Sequence, residues 1–415
     1  VFASVNGCLS QDWFLLPYEL QLQRVHAGVL TEAGVLTGDE LKRIESALDA
    51  IGRAFLDQPC PASDLEDIHT WIEAQLIERV GDAGKRIHTA RSRNDQVATL
   101  LKMFLIDAAG RLCGQVQRLI RVACRQADSW ADLVFPLQTH AQFAAPGSVG
   151  FWALRYAASM RRVLRRLHWA ETEWKHECPL GAGAVAGSSI PIDRARQAVG
   201  LGFTKPSVNA LDATSTRDEC LELLSIGAQA ALHLQSLAED VIAFAQTPFS
   251  WVNYPMAFGT GSSMMPNKTN PDAMELMRGN CAQLLAAPNE AILLLSRLPS
   301  GYNRDLQCVK PLVHRTATLL SDMLTLAAEF LDVLSFNDAR LKQSLAAGSI
   351  DATLRMEAMI QQGVPMREAH HQVAASLADT APFDPDVVNR YATTGSASPA
   401  ETRESAREIL ESLDS

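Results

Sequence analysis

Aromatic side chains are scarce in this 415-residue chain: Phe, Trp and Tyr together make up only 6% of it. Ala and Leu are abundant instead, and both cost little in a helix, so the balance favours helix over sheet. No apolar run approaches the ~20 residues that a membrane-spanning helix needs. An excess of basic charge is also missing. The net charge is −10, which argues against a surface that seeks phosphate backbones or anionic lipid, so neither a nucleic-acid partner nor a membrane partner is expected. The eight cysteines are scattered, with no CxxC or Cys/His cluster. They read as free buried thiols of a cytoplasmic protein, not as disulfides or zinc ligands. No ligand cluster and no nucleotide-binding glycine fingerprint occurs, so no metal and no organic cofactor is implied. Val1–Leu9 lacks a basic segment followed by an apolar stretch, so no export signal is expected there. The opening on Val leaves room for a short preceding segment.

What the chain does have is length and periodicity. Hydrophobic residues at 47% and charged ones at 20% are ordinary for a folded protein with a sizeable core. Apolar residues recur at steps of three and four through Val97, Leu101, Phe104, Ala108, Leu112, Val116, Leu119 and Ala123. A second seam runs through Val149, Trp152, Tyr156, Met160, Val163, Leu167, Ala170 and Trp174, and a third through Leu312, Leu319, Met323, Leu326, Phe330 and Val333. Leu224, Ala231, Leu234, Ala238 and Val241 repeat the pattern. Such stripes specify long helices, about 45 Å for 30 residues, that need partners along their whole length. A helical scaffold accounts for all of them, and they carry no chemistry. Breakers at Gly34, Gly38, Pro59 and Pro61, and later at Gly348, Gly363-Val364-Pro365 and Thr393–Pro399, place boundaries near 90 and 336. The expected architecture is all-α, with an N-terminal helical domain (1–90), a central long-helix bundle (91–335) and a C-terminal helical domain (336–415). Ala400–Ser415 reads as one solvated, charged helix.

Chemistry sits in the polar loops between the rods. Gly259–Pro271 is rich in glycine and small hydroxyls, a backbone suited to closing over an anion. Asn270-Pro271 reads as an N-cap followed by a first helical residue, with Glu275 one turn in. Ser92 and Asp95 mark another helix start, with Arg93 and Asn94 in its first turn, where N–H groups and a guanidinium suit an anion.

These loops also carry a resemblance. GSSMMPNKTNPDAMELMRG, from Gly261 to Gly279, has every fixed position of the pattern GSSxMPxKxN and is similar to the signature of the fumarase/aspartase superfamily, whose members release fumarate or a relative from a succinyl group. Three further segments resemble the argininosuccinate lyases within it: His88–Val97 (HTARSRNDQV, with Ala90 for a glycine), Leu180–Ala184 through Ser189–Arg194, and Tyr302–Gln307 (YNRDLQ) with Lys310 after it. Glu66-Asp67-Ile68-His69 and Thr139-His140 match less strongly.

The resemblance implies β-elimination of argininosuccinate to arginine and fumarate, in arginine biosynthesis. It implies Ser262 as the base, Lys268 stabilising the developing charge, Asn270 on the same carboxylate, and His140, tuned by Glu275, transferring the proton to the leaving group. Arg93, Asn94, Thr139, Tyr302, Gln307, Lys310, Asp67 and Arg217 are the implied substrate contacts. It further implies a homotetramer whose active sites draw motifs from several copies. The chain departs from the family in places. Gln23 stands where the family string carries a serine, Ala145 replaces a glutamine, and Cys308-Val309 replaces an acidic pair. These changes lie toward the substrate's amino-acid end and leave open a substrate altered on the arginine α-amino group. Another fumarate-releasing lyase and a silent, crystallin-like structural protein are the alternatives.

Overall fold

The computed structural model describes residues 5–346, 349–377 and 382–414; Gly348 and Ser415 lie outside them. The all-α expectation holds for the body of the chain. The elements that position functional groups are α1 (Leu16–Glu32), α2 (Gly38–Phe55), α3 (Ile68–Val80), α4 (Arg93–Ser129), the hairpin β1 (Val134–Thr139) and β2 (Gln142–Ser148), α5 (Val149–Trp174), α6 (Asp218–Ala245), the short pair β3 (Thr260–Gly261) and β4 (Thr269–Asn270), α7 (Asp272–Leu295), α8 (Val309–Val333) and, near the end, α9 (Pro399–Asp414). No helix among the described residues is long and apolar enough to cross a membrane.

The seams of α4 and α5 are buried at every position that the periodicity names, from Val97 to Ala123 and from Val149 to Trp174. In α8 the named Leu312, Met323 and Phe330 are buried, but so are Val313, Leu320, Leu324 and Leu331, while Leu319 and Leu326 are half-buried and Val333 is exposed. The three-and-four rule tolerates such a partial rotation of the stripe, because neighbouring apolar residues offer two nearly equivalent stripes. Helix α9 differs from its reading as a solvated helix: Thr402, Ala406 and Ile409 are buried, so one face is packed.

The chain forms two compact units. One comprises Val1–Cys113, Arg166–Ala228 and Ala286–Leu319; the other comprises Gly114–Arg165, Gln229–Leu285 and Leu320–Ser415. The first has a core of Leu16, Leu20, Leu30, Ile44, Leu48, Ile51, Ile68, Trp71, Ile72 and Leu76 from α1, α2 and α3. Trp71 sits edge-on to Trp13 and Phe55, with centroids 5.1 and 4.9 Å apart. In the second, aromatic rings concentrate: Phe135, Trp152, Phe244, Trp251 and Phe336 meet at centroid distances of 5.2–5.7 Å in most pairs. At Gly150 a Cβ would collide with the Ala127 carbonyl of α4, so the close packing of α4 and α5 needs glycine there.

The β1–β2 hairpin is the main departure from an all-helical reading. Its register runs from Val134↔Ser148 to Thr139↔Gln142, with a shift between Leu137 and Gln138. A two-residue turn closes it, and both turn residues have positive φ, +53° at His140 and +58° at Ala141. That is the geometry of a primed turn, which asparagine and glycine adopt far more easily than histidine and alanine.

Candidate active site

The sequence-derived candidates fall into two groups, one in each unit. In the unit formed by Gly114–Arg165, Gln229–Leu285 and Leu320–Ser415, strands β3 and β4 pair as Thr260↔Asn270 and Gly261↔Thr269, and so pinch off the loop 262–268. Ser262 stands at its root. Its Oγ accepts from the backbone N–H groups of Met265 at 3.0 Å and Met264 at 3.3 Å. Its own N–H donates to the Lys268 carbonyl at 3.3 Å. Two N–H dipoles aimed at one hydroxyl oxygen favour negative charge on it, which an isolated serine lacks. Lys268 is exposed on the same loop, and Met264 is 88% exposed. Thr260 anchors the base of the loop by donating to Asp272 at 2.5 Å.

Asn270 does not cap α7. Its backbone belongs to the β3–β4 ladder, its amide reaches Thr260 Oγ1 at 3.5 Å, and Pro271 supplies the carbonyl that receives the N–H groups of Met274 and Glu275. Helix α7 therefore starts at Asp272, with Glu275 in its first turn and exposed. Thr139 ends β1, and His140 opens the hairpin turn as an exposed residue. Among the described residues, His140 makes no hydrogen bond or ion pair with Glu275.

The second group is buried at Asp67, Arg217 and Lys310, half-buried at Arg93, Asn94, Tyr302 and Gln307, and densely bonded. Asp67 is the N-cap of α3: its Oδ1 accepts from the Thr70 N–H and hydroxyl, both at 2.7 Å, while Oδ2 pairs with Arg93 at 2.8 Å. Burial pulls the Asp67 carboxyl upward, but His69, the Thr70 N–H and Arg93 outweigh it and hold it below the usual range. Arg93 also donates to Thr70 Oγ1 at 2.6 Å, and its side chain keeps about a third of its surface free. Asn94 donates to the Ala184 carbonyl at 3.0 Å. The helix start read from Ser92 and Asp95 is present: Ser92 N–H donates to Asp95 Oδ1 at 2.9 Å.

Lys310 is almost wholly buried, its Nζ 2.5 Å from Asp12 Oδ1 and 3.8 Å from Cys8 Sγ. The Cys8 thiol donates to Asp12 Oδ2 at 2.9 Å; burial pushes its pKa up to about 12, against the pull of Lys310. Gln307 reaches the Asn6 carbonyl at 3.5 Å, and Arg304 donates to the same carbonyl at 3.0 Å and to Glu66 at 2.5 Å. Tyr302 is half-buried, and burial raises its pKa despite Lys310, Arg217 and Arg304 nearby. Arg217 is buried. Its guanidinium donates to the Thr216 carbonyl, leaves Nε without a partner and lines a cavity of about 190 Å³ with Lys102, Glu177 and Glu219.

Sequence reasoning missed Asp12 and Cys8. A buried lysine demands a counter-charge, and Asp12 is an isolated carboxylate between apolar stretches; that was the available signal. Gln23 is fully buried, donating to Glu19 at 2.6 Å and accepting from Arg91 at 2.8 Å. All eight cysteines are free, and Cys308 is the exposed one.

A family model described as Lyase matches residues 13–286. The chain is 37% identical to the argininosuccinate lyase of Koribacter versatilis over 91% of its own length and 81% of that protein. With the argininosuccinate lyase of Thermus thermophilus the identity is 40%, covering 89% and 81%. The chain belongs to the argininosuccinate lyase family. Among solved structures, an EDDS lyase variant with bound fumarate superposes with a TM-score of 0.84 at 23% identity, over 98% of this chain and 87% of that one, which shows a shared fold. For an argininosuccinate lyase family member, the two groups above differ in kind: one is exposed and offers a hydroxyl, an ammonium and an imidazole, the other is an internal lattice of fixed charges.

Proposed function

We propose that the protein is an argininosuccinate lyase that splits argininosuccinate into arginine and fumarate, without a cofactor. The likeness to argininosuccinate lyases along almost the whole chain carries this reading. Elimination requires a base for the proton next to a carboxylate, stabilisation of the doubly charged intermediate, and a proton for the departing guanidino nitrogen. Ser262 is the proposed base, and the N–H groups of Met264 and Met265 support it by favouring the charged oxygen. Lys268 and Asn270 hold the developing charge. His140 supplies the leaving-group proton, with Glu275 as its orienting partner. Arg93, Asn94, Thr139, Tyr302, Gln307, Lys310 and Arg217 are the proposed substrate contacts, with Asp67 orienting Arg93.

His140 and Glu275 do not pair within one chain, and Leu232, Leu276, Ile292, Leu293 and Trp169 are exposed apolar side chains on the long helices. Both facts support a homotetramer with active sites shared between copies, in which the 91–335 stretch associates and 1–90 and 336–415 flank it. A cytoplasmic location is proposed with it. The test is release of fumarate, followed by its ultraviolet absorbance, from authentic argininosuccinate. Turnover is expected; turnover of only malate, aspartate or adenylosuccinate, or of no succinyl substrate, would overturn the assignment.

A further inference from the structure

Asp95 is a carboxylate that the proposed chemistry does not use, yet it is fully buried and bonded on both oxygens. Oδ1 accepts from the Ser92 N–H at 2.9 Å. Oδ2 accepts two further backbone N–H groups, from Gly181 at 2.9 Å and Gly183 at 2.8 Å. Both glycines have positive φ, +84° and +64°, so their N–H groups converge from one concave stretch of backbone, as in nests that cradle anions. Here the anion is a side chain of the protein itself.

The surroundings show why the arrangement is tight. A Cβ at Gly183 would lie 2.6 Å from the Gly187 carbonyl oxygen, and one at Gly181 would lie 2.7 Å from Arg194 Cγ. Arg194 in turn donates to the Leu180 carbonyl at 3.1 Å, and Gly187 N–H donates to the Ala182 carbonyl at 2.8 Å. The glycine loop is therefore folded on itself and fastened to the first turn of α4 at two points: Asp95 to Gly181 and Gly183, and Asn94 to the Ala184 carbonyl. Arg93 and Asn94 occupy that same first turn.

We propose that Asp95 is a positioning residue: it clamps the Gly181–Gly183 loop to the start of α4 and so sets the direction of Arg93 and Asn94 toward the substrate. This rests on the reading of Arg93 and Asn94 as substrate contacts. A clamp of this kind acts on substrate capture and not on the proton transfers, because it works through Arg93 and Asn94, which are proposed to hold the substrate and not to move its protons.

The test uses the full-length protein and two variants. Asp95→Asn keeps the shape but leaves one accepting oxygen: an –NH2 in place of Oδ2 faces the Gly181 and Gly183 N–H groups, and in place of Oδ1 it faces that of Ser92. Gly183→Ala leaves the carboxylate and disturbs the cradle. Hydrogen exchange of the segment 179–187 is measured first, then KM and kcat with argininosuccinate. Exchange at Gly181 and Gly183 is expected to quicken about tenfold or more in both variants. KM is expected to rise about tenfold while kcat stays within about twofold. Unchanged exchange in Asp95→Asn overturns the clamp. A kcat that falls as far as kcat/KM overturns its restriction to capture. If Asp95→Asn does not fold, Gly183→Ala alone decides by the same two readouts. The exchange result does not depend on which substrate is turned over, so a failure of the lyase assignment remains distinguishable from a failure of the clamp.

Discussion

The two groups of candidate residues spend their hydrogen-bonding capacity in opposite ways. Asp67, Arg93, Lys310 and Asp12 are each held by one or more fixed partners, and most are buried. Ser262, Lys268, His140 and Glu275 stand on exposed loops or helix starts, and apart from the two N–H groups on Ser262 few contacts hold them. Recognition of a charged substrate benefits from groups whose ordering cost is met during folding. Groups that move protons must instead await the substrate and the exclusion of water. On the proposed roles, the difference teaches that burial separates the parts that select from the parts that react.

The largest effect that would sharpen this contrast is expected at Ser262. Ser262→Ala should lower kcat by about a thousandfold or more, with KM nearly unchanged and the oligomer intact by light scattering. Near-normal turnover would remove Ser262 from the chemistry. His140→Asn comes next, with a loss of about a hundredfold or more in kcat, in the range of a general acid or base. The buried group should answer in stability instead. Asp12→Asn leaves the Lys310 ammonium buried without its counter-charge, and a loss of about 3–5 kcal/mol is expected in chemical denaturation. If that variant melts like the parent, the internal lattice is not the rigid element described here.

The smallest expected effect concerns His88, whose pKa falls from 6.5 to about 4, through burial first and then through Arg91 and Arg93. Between those values the unfolded chain binds the proton more readily than the folded one. His88 therefore contributes stability that is complete above pH 6.5 and is lost as the pH falls toward 4. His88→Asn should flatten that part of the stability curve, measured by urea unfolding at stepped pH. An identical slope in parent and variant would exclude His88 as the cause.

The rods were legible because a long helix repeats its signal many times. The seam from Val149 to Trp174 coincides with α5 from first residue to last. The β1–β2 hairpin was not legible: Pro136 interrupts the first strand, and His140-Ala141 carries none of the usual turn chemistry. Helix α7 began two residues past the expected cap, since a backbone ladder with Thr260 had already engaged Asn270. Within the site, motifs named the polar residues but not their partners. Asp12 lies 298 positions before Lys310, and nothing local announces such a pair. The N–H groups on Ser262 Oγ arise from the fold of the loop and not from the identity of Met264 or Met265, so they leave no mark in the sequence.

The turn at His140 and Ala141 has a consequence for anyone who would harden this protein. An Asn-Gly pair would relieve two left-handed residues and should raise the melting temperature, but it would delete the imidazole. On the proposed role of His140, selection for heat tolerance alone would thus favour a sturdier but far slower variant. A screen should score turnover alongside survival.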